Sequence, residues 1–374
     1  MRILYVFRSL AIFGGIERIL VDKMNYLADE YGYNVYMVTA NQGSHPVPYK
    51  LSDSVVFEDL NIRFHDQYRY KGLHRVWDRY NRNSKFKKLL KLKIKQISPD
   101  VIVCVADGYQ VLVTKVKGNI PLVVEAHNNY SYVYEGKGIV KKYMKWLQRR
   151  ALYNVQALVT LTPQDAENWK RIIDNVFVIK NFVNINKSGI YSKLNNRRVV
   201  FVGRLEGQKR VFEILKIWQM VFPKHRDWSL DVYGDGDNYD EIERISCDMD
   251  VNIYIHRPTS DILKVYLESD FLVLTSEYEP FGLVMPEAMS CGLPVVSYDV
   301  PYGPALIISD GVDGFLIKDN DRLSFAQKMD MLMSDSALLE KMGRAAVLSS
   351  RSYSADKIMP QWKDLLDNIS GNRL

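Results

Sequence analysis

Short apolar runs alternate with amphipathic stretches along this chain. In the first half the apolar runs, read as buried strands, cover residues 2–7, 34–39, 100–105, 122–126, 157–161 and 176–179. In the second half, strands are predicted from residues 198 and 229 and over residues 251–255, 271–274 and 315–317. Between most of them, apolar positions recur at helical spacing, and one such helix is predicted over residues 209–220. Strands that alternate with helices predict an α/β protein with parallel sheets covered on both faces.

The alternation is interrupted by a polar, turn-rich stretch at residues 181–196, which indicates a linker. We therefore predict two domains, residues 1–185 and residues 186–351. A chain of 374 residues is long enough for two domains, and its 47% hydrophobic content is enough to fill two cores.

The Pro/Gly turn after the strand at 271–274 suits a ligand that carries both charge and hydroxyl groups. It leads into a helix predicted to start near Leu283, and the first amides of a helix have no partner inside it. The amides expected to face an anion are those of Phe281, Gly282 and Leu283. Two carboxylates, Glu279 before the turn and Glu287 in the first helical turn, accept hydrogen bonds from hydroxyls. Together these groups predict a sugar nucleotide as ligand.

At this turn the chain resembles glycosyltransferase family 4, a group of retaining GT-B enzymes. Residues 279–295 match its text E-P-F-G-x4-E-A-x3-G-x-P-V throughout. The resemblance implies a GT-B fold, in which two Rossmann-like domains with parallel sheets face each other across a cleft that holds the site. It also implies that the last helix, about residues 352–374, crosses back onto the first domain. The implied reaction is metal-independent, retaining transfer of a hexose-type sugar from a nucleoside diphosphate sugar, with UDP as the expected nucleotide and no cofactor.

Two further strand-to-helix loops suit phosphate groups. Gly14 and Gly15 follow the first strand, and a Gly pair at this position lets backbone approach a phosphate closely. Gly203, Arg204 and Lys209 follow the strand that begins at residue 198, and an Arg fork with a Lys point charge matches a diphosphate. The alternative is a surface ion pair that needs no ligand. In the resembled family both loops lie at the donor diphosphate, and many relatives have Gly where this chain has Arg210.

A histidine and an arginine complete the predicted site. His127 follows the strand at 122–126, at the edge of a parallel sheet where ligands bind, although a lone histidine is usually structural. The resemblance places its side chain near the donor sugar, so that His127, Glu279, Arg204 and Lys209 form the implied catalytic set. Arg257 lies in a loop that borders the nucleotide base in relatives. Asp235 and Asp237 formally match a D-x-D metal motif, but their surroundings match a GT-B turn, so no metal is predicted.

Two basic segments interrupt the first half, at residues 69–95 and 137–150. The first has eleven Lys or Arg against one acid, Asp78, with apolar and aromatic residues interleaved. Basic amphipathic helices of this kind suit an anionic membrane surface, and the alternative is a solvated helix face. RNA is a third interpretation, but no nucleic-acid module is recognisable, so no nucleic-acid partner is predicted.

The composition of the chain indicates where in the cell the protein is found. The three cysteines are widely spaced, which favours a reducing compartment without structural disulfides. No run of about 18 apolar residues is present. We therefore predict a cytoplasmic protein, peripheral on the inner face of the cell membrane.

The predicted function is transfer of a sugar to a glycan or lipid-linked acceptor in the assembly of cell-surface polysaccharide or oligosaccharide. Two alternatives stay open. A phosphorylase or a nucleotide-sugar epimerase could share the fold, since fold alone does not fix function. A non-catalytic protein that binds anionic lipid or RNA through the basic segments is the other.

Overall fold

A computed structural model describes residues 1–130, 139–183, 186 and 189–371, with the backbone alone for residues 139–141. The chain divides into two compact units. Unit 1 contains Met1–Lys180 and the chain from Met359 onward, and unit 2 contains Asn181–Ile358.

Unit 1 is built on one parallel sheet. Its strands are β1 (Arg2–Phe7), β2 (Asn34–Thr39), β3 (Val55–Asp59), β4 (Val101–Val105), β5 (Leu122–Ala126), β6 (Ala157–Thr160) and β7 (Val176–Val178). They lie in the order β3-β2-β1-β4-β5-β6-β7. The strand order therefore reverses between β1 and β4: the strands that follow β1 are added first on one side of it and then, from β4 onward, on the other. Every residue of β4, β5 and β6 is buried, as expected for strands covered on both faces.

The helices of unit 1 follow its strands. They are α1 (Gly15–Asp29), α2 (Gly72–Ile97), α3 (Gln110–Val113), α4 (Ile139–Leu152) and α5 (Pro163–Trp169), with a 3₁₀ turn at Phe64–Arg69. Phe86, Leu90 and Ile94 of α2 pack in the core beside Leu4 and Ile102 of the sheet. The apolar pattern did not predict β3, a short edge strand in which buried and more exposed positions alternate.

Unit 2 repeats the plan. Its strands are β8 (Arg198–Val202), β9 (Ser229–Tyr233), β10 (Ile253–His256), β11 (Phe271–Leu274), β12 (Val295–Asp299) and β13 (Gly314–Lys318). They form a parallel sheet in the order β10-β9-β8-β11-β12-β13, with the reversal between β8 and β11. The prediction of two Rossmann-like domains with parallel sheets is confirmed.

The helices of unit 2 cover this sheet. They are α6 (Val211–Val221), α7 (Tyr239–Asp248), α8 (Ile262–Leu267), α9 (Val284–Ser290), α10 (Pro304–Ile307), α11 (Arg322–Ser334) and α12 (Ser336–Ser350). Short 3₁₀ turns lie at Gly207–Lys209, Phe222–Lys224 and Arg351–Tyr353. The predicted start of a helix at Lys209 was wrong, because Arg210 has a left-handed backbone (φ 46°) and α6 begins after it.

The last helix, α13 (Ala355–Gly371), contributes Met359 and later residues to unit 1. There the Lys23 ammonium of α1 lies 3.7 Å from the centroid of the Trp362 ring, and the Tyr33 hydroxyl donates to Asp367 at 2.7 Å. Within the described residues, no helix is both long enough and apolar enough to cross a bilayer.

Candidate functional site

The loops after β8 and β11 meet at the point where the strand order of unit 2 reverses. Lys209 from the first loop donates to Oε1 of Glu279 in the second, and the two side chains are only 13% and 4% exposed. The Ser276 hydroxyl donates to the same oxygen at 2.6 Å. Reversal points at the carboxyl edge are where open parallel sheets bind ligands. The sequence predicted both residues as site residues, but not their ion pair.

Backbone contacts hold these two loops in register. The Glu277 amide donates to the Gln208 carbonyl at 2.8 Å, and the Gln208 side-chain amide donates to the Tyr278 carbonyl at 2.9 Å. The stem of Lys209 passes close to Gly203, where an added Cβ would lie 3.4 Å from Lys209 Cε. The lysine that reaches Glu279 thus runs within van der Waals distance of the Gly203 position.

The turn before α9 depends on two glycines. Gly282 has a φ of 83°, and a Cβ there would lie 2.4 Å from Met285 Cε and 3.6 Å from a carboxylate oxygen of Glu279. Gly303 donates its amide to the Glu279 carbonyl at 2.8 Å, and a Cβ there would lie 2.2 Å from the Phe281 carbonyl oxygen. The hydrogen bonds of the described residues include no acceptor for the amides of Phe281, Gly282 and Leu283.

Glu287 lies in the first turn of α9, as predicted, and is buried. Its carboxylate accepts from the Tyr266 hydroxyl at 3.3 Å. A carboxylate fixed in this way beside the turn can accept further hydrogen bonds from ligand hydroxyls, because it carries about four lone-pair sites.

The other two predicted cations of unit 2 have partners of their own. Arg204 is 56% exposed and pairs with Glu206 at 3.0 Å. Arg257 directly follows β10, pairs with Asp235 at 2.7 Å and lies 3.5 Å from the centroid of the Tyr239 ring. The Asp235 carboxylate of the formal D-x-D motif is thus an ion-pair partner. Among the residues that the structure describes, no three His, Cys, Asp or Glu side chains come together as a metal site.

In unit 1 the predicted glycines lie where β1 leads into α1. Gly14 is the N-cap residue of α1 and Gly15 is its first residue. A Cβ at Gly14 would lie 2.2 Å from a carboxylate oxygen of Glu17, which is buried and pairs with Arg8 at 3.1 Å. A side chain at Gly14 would therefore displace the Glu17 carboxylate.

His127 has two charged neighbours that sequence reasoning missed. Its Nε2 lies 2.9 Å from Oε2 of Glu125 in β5, and the same oxygen lies 2.5 Å from Lys23 Nζ of α1. All three side chains are at most 3% exposed. The sequence did contain a signal for this cluster. A Glu inside an otherwise apolar buried strand and a Lys on the apolar face of α1 both break the hydrophobic pattern of their element.

Burial alone would raise the pKa of Glu125, but the opposing effects of Lys23 and His127 lower it to about 2. Burial also lowers the pKa of Lys23, against the pull of Glu125. Glu125 is therefore an ionised, fully buried carboxylate.

The two basic segments are only partly available as a surface. In the first, Phe86, Leu90 and Ile94 are buried in the core, whereas Lys85, Lys88, Lys91, Leu92 and Lys95 are exposed. In the second, Lys137 lies outside the described residues, whereas Lys142, Tyr143, Trp146, Arg149 and Arg150 are exposed. The two segments touch, because an Arg79 guanidinium nitrogen lies 3.8 Å from Met144 Sδ.

Comparison with known proteins assigns the chain to a family. The family model described as Glycosyltransferase Family 4 matches residues 13–187, and the one described as Glycosyl transferases group 1 matches residues 184–348. The chain is 27% identical over 360 residues to an uncharacterized glycosyltransferase of Haemophilus influenzae, covering 94% of this chain and 96% of that protein.

Two further relatives are similar over nearly their full length. The chain is 22% identical over 364 residues to a Campylobacter jejuni enzyme named as an alpha-1,4-N-acetyl-D-galactosaminyltransferase acting on a saccharide on PP-undecaprenol, covering 95% and 96% of the two chains. A variant of S. aureus TarM, solved with Fondaparinux, alpha-GlcNAc-glycerol and UDP, has the same fold, with a TM-score of 0.80 and 16% identity over 98% and 99% of the two chains.

Proposed function

We propose that this chain, which belongs to the GT-B glycosyltransferases of the group 1 and family 4 type, moves a hexose-type sugar from a UDP-sugar to a hydroxyl of a glycan or lipid-linked acceptor. The acceptor belongs to cell-surface polysaccharide or oligosaccharide assembly. The anomeric configuration is retained. The C1–O bond to the diphosphate breaks, a C1–O bond to the acceptor forms on the same face, and the acceptor proton goes to the departing phosphate.

The observation that carries this proposal is the buried pair of Lys209 and Glu279 at the strand reversal of unit 2. Here a cation lies beside a carboxylate that accepts hydrogen bonds from hydroxyl groups. The two match the phosphate and the sugar on either side of the bond that breaks in a sugar nucleotide. In this proposal Lys209 stabilises charge that develops on the departing diphosphate, and Glu279 holds hydroxyls of the sugar. Preorganised groups of this kind are effective because burial strengthens their electrostatic interactions.

The remaining residues of unit 2 extend this arrangement. Arg204 is exposed enough to leave Glu206 and take a phosphate, since surface ion pairs contribute little. The amides near Gly282 bind the diphosphate, Glu287 binds the ribose, and Arg257 borders the base. These cations and amides, rather than a metal ion or cofactor, balance the charge of the leaving group.

Unit 1 contributes two features. The amide near Gly15 at the N-terminus of α1 assists with the diphosphate. His127 at the carboxyl end of β5 orients the donor sugar. A protein base is not needed, because the departing phosphate takes the acceptor proton, and a protein nucleophile is not needed, because attack on the same face of C1 already gives retention.

The choice of nucleotide and stereochemistry has support from the relatives. The similar TarM variant was solved with UDP and alpha-GlcNAc-glycerol, and the similar Campylobacter enzyme is named for an alpha linkage. Sugar nucleotides of hexoses commonly carry the alpha configuration, so an alpha product corresponds to retention.

We also propose that unit 1 binds an anionic membrane through one surface, which we call the aromatic-basic surface. It is made of Tyr68, which adjoins the first basic segment, and of exposed residues of both segments: Leu73, Arg75, Trp77, Arg79, Tyr80, Lys142, Tyr143, Trp146, Arg149 and Arg150. Trp77 is 62% and Trp146 is 50% exposed. Aromatic rings among cations favour the headgroup region of an anionic bilayer, and a lipid-linked acceptor lies in such a bilayer.

The proposal is tested by incubating the protein with UDP-glucose, UDP-GlcNAc and UDP-GalNAc and following release of UDP. Proton NMR of the sugar product, recorded before it mutarotates, then reports the anomer. An alpha product is expected. A beta product would overturn retention, turnover with phosphate as acceptor would favour a phosphorylase, and sugar interconversion without an acceptor would favour an epimerase.

A further inference from the structure

Lys23, Glu125 and His127 form a buried triad around the Glu125 carboxylate. The Glu125 carboxylate has both of its neighbours on one oxygen, Oε2, at 2.5 Å from Lys23 Nζ and 2.9 Å from His127 Nε2. An ionised carboxylate only accepts hydrogen bonds, so the proton of a neutral imidazole has to lie on Nε2. The other ring nitrogen, Nδ1, then carries the lone pair.

Lys23 is the cation that lies against the Glu125 carboxylate. A buried carboxylate without a cation would draw a second proton onto His127, because an unpaired charge is costly in the interior. With Lys23 as partner, Glu125 is already compensated and His127 can stay neutral. A neutral ring can accept a hydrogen bond from a sugar hydroxyl, whereas an imidazolium can only donate.

The other titratable groups near Glu125 are uncharged. Burial first, and then Glu125, raise the pKa of the Tyr5 hydroxyl in β1 far above its usual value. Burial, then Asp107 and Glu125, do the same for the Cys104 thiol in β4. On α13, Trp362 covers the Lys23 ammonium at 3.7 Å. Within the described residues, Lys23 is therefore the cation that balances Glu125.

We propose that Lys23 and Glu125 are positioning residues that hold His127 neutral, with its proton on Nε2, so that Nδ1 accepts a hydrogen bond from a hydroxyl of the donor sugar. This inference rests on the proposed function, because it gives His127 a sugar to bind. In this proposal His127 recognises a hydroxyl group of the sugar and not the nucleotide.

The test joins a spectroscopic and a binding measurement on the full chain. Nitrogen-15 NMR of histidine-labelled protein at pH 7.5, assigned with His127→Phe, reports which ring nitrogen carries the proton. We expect the Nε2–H tautomer in the wild type, a mixture or the opposite tautomer in Glu125→Gln, and a protonated ring in Lys23→Met. A wild-type ring that is protonated, or has its proton on Nδ1, would overturn the proposal.

Binding separates the sugar from the nucleotide. We expect Glu125→Gln to weaken binding of the tightest of UDP-glucose, UDP-GlcNAc and UDP-GalNAc by roughly 3- to 10-fold, the contribution of one hydrogen bond, and to leave UDP binding unchanged. Equal weakening of UDP and UDP-sugar, or no weakening, would overturn the role at the sugar. Because single variants leave a buried charge unpaired, the double variant Lys23→Met with Glu125→Gln, which removes both charges, is measured beside them.

The outcomes distinguish this inference from the proposed function. If the wild type binds no UDP-sugar more tightly than UDP, the donor assignment and the sugar contact both fail, while the NMR result still decides whether the triad sets the tautomer. If the wild type binds and turns over a UDP-sugar but the variants bind it equally well, the proposed function stands and this inference fails.

Discussion

Lys209 and Glu279 lie 70 residues apart in the chain and form a buried ion pair where two loops of unit 2 meet. Without a ligand, the cation and the carboxylate compensate each other. In the proposed function, a bound sugar nucleotide replaces part of this pair, with phosphate for Lys209 and sugar hydroxyls for Glu279. The pair therefore couples the stability of the free protein to its affinity for ligand.

The first prediction concerns the stability of this pair. Glu279→Gln leaves Lys209, only 13% exposed, without an ionised partner, so we expect the free energy of unfolding to fall by roughly 2 kcal/mol. Glu206→Gln is the matched control, since it breaks an exposed pair with Arg204 and should cost less than about 1 kcal/mol. Urea unfolding of both variants measures the difference. Equal losses would mean that the pair is not buried as described.

A second prediction uses Gly303. Adding a methyl group there places a Cβ 2.2 Å from the Phe281 carbonyl oxygen. The oxygen is a backbone atom and the Cβ is bonded directly to the backbone, so the clash cannot be relieved by rotating a side chain. We expect Gly303→Ala to shift the turn before α9, to destabilise the protein by about 1–3 kcal/mol and to weaken UDP binding. Gly207→Ala is the control because no atom lies within 4 Å of its added Cβ. Unchanged UDP affinity in Gly303→Ala would argue against a role of this turn in binding.

The third prediction tests the aromatic-basic surface. The double variant Trp77→Ala, Trp146→Ala removes two exposed rings, and we expect it to bind vesicles containing anionic phosphatidylglycerol at least roughly tenfold more weakly. Tyr254→Ala, which removes an exposed ring of unit 2, is the control. Co-sedimentation at low and high salt measures binding, and high salt should weaken wild-type binding as well. Wild-type binding that matches the double variant would contradict a membrane role for these rings.

The fourth prediction concerns acid stability. The folded pKa of Glu125 is about 2, below the value of about 4.3 for an exposed Glu, so its contribution to stability is complete above about pH 4.5 and is lost as the pH falls toward 2. We expect the wild type to lose up to about 3 kcal/mol through this group over that range, and Glu125→Gln to lack this part.

The control is Glu58→Gln, which removes a surface partner of Lys93. Thermal midpoints measured from pH 5 to pH 2.5 give the slopes. If Glu125→Gln and Glu58→Gln show the same acid slope, Glu125 is not held ionised by Lys23 and His127.

The sequence predicted most strands and helices of both units in order, because buried parallel strands and amphipathic helices have distinct periodicities, but it did not predict β12. It also predicted which loops carry the candidate site, since Gly, Pro and charged residues directly follow buried strands. Most strand ends agreed within one or two residues. The short edge strand β3 was missed because half-exposed strands leave a weak apolar signal.

Contacts between distant segments could not be predicted from spacing. Lys23 and Glu125 are separated by 102 residues, and their pairing depends on how α1 packs on the sheet. The left-handed backbone of Arg210, with a φ of 46°, was equally hidden, because residues other than Gly seldom adopt it. Contacts of its guanidinium with Asp319 at 3.0 Å and Asn320 at 2.8 Å hold the arginine there.

The most direct test of the proposed function compares wild type with Lys209→Met in UDP-sugar turnover and UDP binding, with Lys224→Met as the control because Lys224 is a 70% exposed lysine of the same unit. We predict that one UDP-sugar is turned over by the wild type and the control, and that Lys209→Met lowers kcat by roughly 10²- to 10³-fold, the usual cost of losing one group that stabilises transition-state charge. Equal turnover by wild type and Lys209→Met, or no turnover of any UDP-sugar by the wild type, would contradict it.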